Sequence, residues 1–132
     1  MHLQPINFEA LYAQQVAQLQ AASTDRPEAQ AFFGIQARNL SRLQREGVTI
    51  ALGTDGNVPW GPHVEMADMV ASGMTPAEVI VASTRNAADF MQLADMGAVA
   101  SGKSADFIVL EANPLDDITN TRRIRDVYLR GE

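Results

Sequence analysis

Gly47-Val48-Thr49-Ile50-Ala51-Leu52-Gly53-Thr54-Asp55-Gly56 is the stretch whose reading decides the fold. Val48 to Leu52 is too short for a helix and rich in β-branched residues, so it predicts a buried β-strand over 48–53. Asp55-Gly56 turns the chain at its end and places one carboxylate where a strand gives way to a loop. In barrel and open α/β architectures such strand ends are where chemistry is done, because the loops converge there. A buried parallel-type strand needs neighbours on both sides and helices on both faces. This chain supplies only one such strand.

The flanks read as helices. Upstream, Phe8, Leu11, Tyr12, Gln15, Val16 and Leu19 recur at helical spacing, and Asp25-Arg26-Pro27-Glu28 is a helix start with a capping residue and a glutamate three positions on. Phe33, Gln36, Leu40 and Leu43 carry the second helix's stripe to Gly47, a left-handed cap. Helix, glycine, apolar strand and Asp-bearing loop together make half of an α/β repeat. Downstream, Gly56 to Pro62 is a loop holding the only tryptophan, Trp60. A helix follows around His63 to Ala71, with either Val64, Ala67 and Val70 or Met66, Met69 and Val70 turned inward. Thr75-Pro76-Ala77-Glu78 is a capping box with proline at the first helical position. Val79 and Ala82, then Ala87, Phe90 and Met91, predict two short helices broken near Ser83-Thr84. After Gly97 strands are expected at Asp106–Glu111 and Asp126–Arg130, with Asn113 to Asp117 turning between them. Met66, Met69, Met74, Met91 and Met96 read as adaptable core filling.

Composition narrows the function. A chain of 132 residues can bury a real core, and 46% hydrophobic with 20% charged residues is a globular profile. No apolar stretch approaches the roughly 20 residues that span a bilayer, and the start lacks signal-peptide character, so a cytoplasmic protein without a membrane partner is expected. A net charge of −6 with scattered Lys and Arg disfavours nucleic-acid binding. Arg122-Arg123-Ile124-Arg125 is the one dense basic patch and reads as a solvated strand edge. Gly102-Lys103-Ser104 lacks the spacing of a phosphate loop and reads as a turn before a strand. The absence of cysteine excludes disulfides, thiolate metal sites and a thiol nucleophile.

Three stretches together resemble the carboxy-terminal portion of an amidohydrolase-superfamily enzyme, of the imidazolonepropionase-like and metal-dependent prolidase-like branch. The first is Gly47 to Asp55, similar to the family's eighth barrel strand and its terminal aspartate. The second is Gly73-Met-Thr-Pro-Ala-Glu-Val-Ile-Val-Ala-Ser-Thr-Arg-Asn-Ala-Ala88, the helices that follow. The third is Gly97 to Leu110 with Asn113-Pro114-Leu115, similar to the return of the chain into the family's small β-sandwich. The resemblance implies an α/β fold: residues 1–92 as the last β/α portion of a (β/α)8 barrel, residues 95–132 as part of a β-sandwich appendage, and an incomplete barrel overall. It further implies a fragment of a metal-dependent hydrolase that cleaves a carbon–nitrogen bond in a small amide, dipeptide-like or cyclic imide-like substrate.

In that family the counterpart of Asp55 contacts a divalent metal, zinc first among the candidates, and handles the proton of the attacking water. Asp55 is therefore the catalytic and metal-ligand candidate, and His63 and Trp60 are the substrate-binding candidates. From spacing alone, Asp55-Gly56 is an ordinary turn pair and His63 a polar residue opening a helix. The family's other ligands, an early His-x-His pair, a carboxylated lysine or glutamate and two later histidines, have no counterpart here. A catalytic zinc normally takes three protein ligands, so one carboxylate does not hold it. The chain is thus expected to be silent alone, either as the complement of a missing amino-terminal part or, alternatively, as a non-catalytic protein that forms a homo-oligomer through exposed strand edges.

Overall fold

The computed structural model describes residues 26–54, 56 and 59–132. The stripe from Phe8 to Leu19 and the capping residue Asp25 lie outside the described residues. Among the described residues seven elements follow one another: helix α1 (Arg26–Arg45), helix α2 (Gly61–Ala71), helix α3 (Pro76–Ser83), helix α4 (Arg85–Phe90), strand β1 (Phe107–Leu110), a 3-10 helix (Ile118–Arg122) and strand β2 (Ile124–Tyr128). The chain divides into two compact units, Met1–Ile35 and Gln36–Glu132. Of the first, the described part is the amino-terminal half of α1.

α1 ends as its sequence predicts. Gly47 adopts φ +81°, Gly47 N–H donates to the Gln44 carbonyl at 3.1 Å and Val48 N–H to the Leu43 carbonyl at 3.0 Å. This paired arrangement satisfies carbonyls that the helix leaves open, and a left-handed glycine makes it possible. Arg42 and Arg45 in the last turn complement the helix dipole. Of the expected stripe, Leu40 reaches the core, whereas Leu43 is half exposed.

The segment after Gly47 departs from expectation. Residues 48–53 form no strand; among the described residues no β-ladder reaches them. Ile50 and Leu52 pack against the core, while Thr49 and Ala51 face outward and Val48 is 48% exposed. The alternation of a strand is present, but its ladder partners are not. The backbone is anchored instead to the helices: Leu52 N–H donates to the Ala82 carbonyl at 3.1 Å, and Asn86 Nδ2 donates to the Ile50 carbonyl at 2.7 Å. A parallel-type strand requires paired neighbours, so an isolated one takes whatever donors and acceptors lie beside it.

α2 begins at Gly61, two residues before the expected start, and turns Met66 and Met69 inward, leaving Val64 exposed. α3 carries the capping box that its sequence announces. Glu78 N–H donates to Thr75 Oγ1 at 3.3 Å, and Thr75 N–H donates to Glu78 Oε2 at 2.7 Å. The break at Ser83-Thr84 is real, and there Thr84 Oγ1 donates to the Ile80 carbonyl. That break resets the helical phase. Ala88 rather than Phe90 and Met91 becomes the buried position of α4, and the latter two are 79% and 64% exposed. Met96 is also exposed, so Met91 and Met96 are not core filling.

β1 and β2 pair antiparallel, with Phe107 opposite Tyr128, Ile108 opposite Val127 and an irregularity between Val109 and Leu110. Phe107 and Tyr128 stack with ring centroids 4.7 Å apart. β2 lies two residues earlier than expected because Arg130, at φ 55°, and Gly131, at φ 85°, turn the chain and end the strand. Gly102 to Ser104 form the expected turn, with Lys103 N–H donating to the Ala100 carbonyl. Between the strands, Asp117 Oδ1 accepts from Thr119 N–H at 2.8 Å and starts the 3-10 helix. Ile118 from that helix joins Met66, Met69, Met74, Val79 and Ala82 in one core, so the β segment shares its apolar centre with the helices.

Candidate active site

The core fixes the helix that carries the histidine. Met66 and Met69 are one and two turns along α2 from His63, and their burial sets its rotation. The first turn of α2 folds onto Trp60, whose carbonyl accepts from His63 N–H at 3.0 Å and Val64 N–H at 3.2 Å. Trp60 and His63 are both half-buried, so the structure brings these two predicted residues together at the start of one helix. Asp55 lies outside the described residues. The segment leading toward it, up to Thr54, is held by Leu52 on Ala82 and by Asn86 on Ile50.

His63 reaches across to the 3-10 helix. Its Nδ1 lies 3.0 Å from Thr121 Oγ1, and Thr121, 3% exposed, donates its own hydroxyl to the Ile118 carbonyl at 2.8 Å. Burial lowers the imidazole pKa below its ordinary value, and the positive charge of Arg122 lowers it further. Both causes favour the neutral ring.

Beside His63 opens a groove of about 840 Å³. α3, α4 and the 91–99 segment form one wall; β1 and β2, with the Phe107–Tyr128 stack, form the other. Its polar groups are few. Among them Asp106 has both oxygens occupied: Ser104 Oγ donates to Oδ2 at 2.6 Å, and Arg130 N–H donates to Oδ1 at 2.8 Å. Those hydrogen bonds hold the Asp106 carboxyl below its ordinary pKa.

The donors that the structure describes do not assemble into a catalytic metal site. The sequence has two histidines and no cysteine. Among the described residues, no group of three or more His, Asp or Glu side chains is placed to hold an ion.

Sequence reasoning missed two partners. Thr121 meets His63 across 58 residues of chain, a pairing that no local pattern announces. Asn86 holds the Ile50 backbone in the segment that leads to Asp55. A visible trace of the first was Asp117-Ile118-Thr119, a capping pattern that places a helical turn where a simple loop was read.

Comparison with known proteins identifies the lineage. The model of the amidohydrolase family matches residues 1–132. The chain belongs to the amidohydrolase family. An imidazolonepropionase of Deinococcus deserti is 32% identical over 141 residues, which covers 96% of this chain and 35% of that protein. An ochratoxinase of Aspergillus niger is 47% identical over 78 residues, 56% of this chain and 16% of that protein. Among solved structures, a Xaa-Pro dipeptidase with methionine bound in its active site superposes with a TM-score of 0.66 at 32% identity. It covers 72% of this chain and 24% of that one. The chain thus spans about a third of the length, 35% and 34%, of the imidazolonepropionases it matches. The amidohydrolase resemblance read from the sequence is correct.

Proposed function

We propose that this chain is the carboxy-terminal segment of a metal-dependent hydrolase acting on a carbon–nitrogen bond in a small amide, dipeptide-like or cyclic imide-like substrate. The observation that carries this reading is the family match along residues 1–132. On this reading residues 1–92 belong to a (β/α)8 barrel and residues 95–132 to a β-sandwich appendage. Asp55 is the carboxylate that takes a proton from the attacking water and returns it to the leaving nitrogen. Trp60 and His63 contact the substrate. A divalent ion, zinc by preference, would be held by Asp55 together with histidines from an amino-terminal polypeptide, since one carboxylate does not hold a catalytic zinc. Alone, the chain is silent.

The test is complementation. The chain is assayed by mass spectrometry for matched release of amine and carboxylate from small amides and dipeptides, with zinc added. It is assayed alone and after mixing with the amino-terminal two-thirds of an imidazolonepropionase. Turnover is expected only in the assembled pair, and Asp55→Asn abolishes it. Turnover that survives Asp55→Asn, or its absence from a pair shown to assemble, overturns the reading.

A second reading rests on the sheet. Among the described residues it has two strands, so each has an unpaired outer edge. Two strands alone are marginal in water, and open edges invite pairing. In this reading the chain is a non-catalytic protein that assembles with copies of itself. Light scattering distinguishes it: a defined metal-free oligomer supports it, and a monomer removes it.

A further inference from the structure

Two contacts at Thr121 determine where the proton of His63 sits. Thr121 Oγ1 is 2.8 Å from the Ile118 carbonyl oxygen and 3.0 Å from His63 Nδ1. A hydroxyl has one hydrogen to give. If that hydrogen pointed at Nδ1, two oxygens would face one another at 2.8 Å with nothing between them. If it points at Ile118, both contacts become hydrogen bonds provided that Nδ1 carries a proton and donates to Oγ1. The second arrangement makes two bonds where the first makes one, so the neutral ring carries its proton on Nδ1. Nε2 is then a bare acceptor.

Nothing among the described residues bonds Nε2, and none of their buried side-chain nitrogens or oxygens lacks a partner. His63 lines the groove described above. At about 840 Å³ the groove is within the range of small-molecule sites, which are mostly apolar with a few placed polar groups. Its walls include Met91, Leu93, Met96, Ile108 and Val127, and the Phe107–Tyr128 stack offers an aromatic surface. Asp106, the carboxylate among them, has its oxygens committed to Ser104 and Arg130.

We propose that this groove binds an uncharged, largely apolar aromatic molecule bearing one N–H or O–H, which donates to Nε2 of a His63 held in the Nδ1–H form by Thr121. Thr121 is a positioning residue here, since it acts through the imidazole. The lowered pKa of His63 is consistent, because a protonated ring would offer no acceptor. The proposal deepens the role given to His63 above but does not require catalysis.

The experiment compares 4-propylphenol with 4-propylanisole, which share an apolar body and differ in the donor. Dissociation constants are measured by titration calorimetry on the intact chain, alongside the ¹⁵N shifts of the His63 ring. The phenol is expected to bind about fivefold more tightly, the worth of one ordinary hydrogen bond. The ring is expected to show a protonated Nδ1 and a bare Nε2. His63→Phe keeps an apolar wall and makes the two affinities equal. Thr121→Val removes the Nδ1 acceptor, lets the proton move to Nε2, and reduces the discrimination while the ¹⁵N pattern changes with it. Equal affinities in the unaltered chain, no binding of either probe, or a protonated Nε2 at neutral pH overturns the proposal. Binding is read without turnover, so a failed complementation assay leaves this result intact. Equal affinities in turn leave the chemistry assigned to Asp55 untouched.

Discussion

Gly97→Ala is the sharpest test of how the helices meet the β segment. Gly97 lines the groove and has φ +83°, and a Cβ there would sit 2.7 Å from Ala88 Cβ, 3.0 Å from Arg85 Cα and 3.2 Å from the Thr84 carbonyl oxygen. Two of those atoms are backbone and the third is a methyl fixed to it, so none can swing away. The left-handed conformation alone costs about 1–2 kcal/mol for alanine. Forcing a methyl into occupied space adds about 1–3 kcal/mol. Gly102 separates the two effects, because its φ is +82° but no atom lies within 4 Å of its would-be Cβ. Gly102→Ala is therefore expected to cost about 1 kcal/mol and Gly97→Ala about 3 kcal/mol. In urea unfolding with a slope of about 1.5 kcal/mol/M, the midpoints fall by about 0.7 M and about 2 M respectively. Equal shifts would refute the close packing of the 97 turn on α4.

Three further outcomes follow from single contacts. Asn86→Ala removes the donor to the half-buried Ile50 carbonyl, should cost about 1 kcal/mol, and should speed amide exchange at Leu52 more than at Val79. Acidification should destabilise the chain. Hydrogen bonds from Thr75 hold Glu78 below its ordinary 4.5, and hydrogen bonds chiefly from Ser104 and from Thr119 hold Asp106 and Asp117 below 3.8. A depressed carboxyl stabilises the fold above its unfolded pKa and loses that contribution as pH falls through the folded value, so the thermal midpoint should drop as pH is taken from 5 toward 3. Asp68 runs the other way. Burial raises its pKa above 3.8, so its contribution is present at low pH and lost as pH rises through the raised value; Asp68→Asn should raise the midpoint at pH 7 and change little at pH 3.

Local chemistry was the legible part of this sequence. The Gly47 cap, the Thr75–Glu78 box and the Ser83-Thr84 break each depend on residues within a few positions of one another, and the structure contains all three. Features that depend on distant partners were not legible. The alternation of Val48 to Leu52 is that of a strand, but a strand is made by its neighbours, and here the chain segment leans on Ala82 and Asn86 instead. The spacing of Ala87, Phe90 and Met91 announced a second short helix but not its buried position, which is Ala88. β2 was placed two residues late because nothing in Leu129-Arg130 announces a left-handed arginine. At the candidate site, Trp60 and His63 were proposed from the family resemblance and their place after the Asp55 loop, while the Thr121 contact with the imidazole required the fold.

We propose that Asp55 is the carboxylate by which this amidohydrolase-family chain meets a catalytic ion, and that the chain alone lacks the further ligands that such an ion needs. The most direct test is the zinc stoichiometry of the purified chain, measured by mass spectrometry after equilibrium dialysis against zinc and exhaustive washing. Substoichiometric, readily washed metal is the expected result. One tightly held zinc per chain, lost in Asp55→Asn and in His63→Phe, would contradict the claim and show that these residues complete a metal site by themselves.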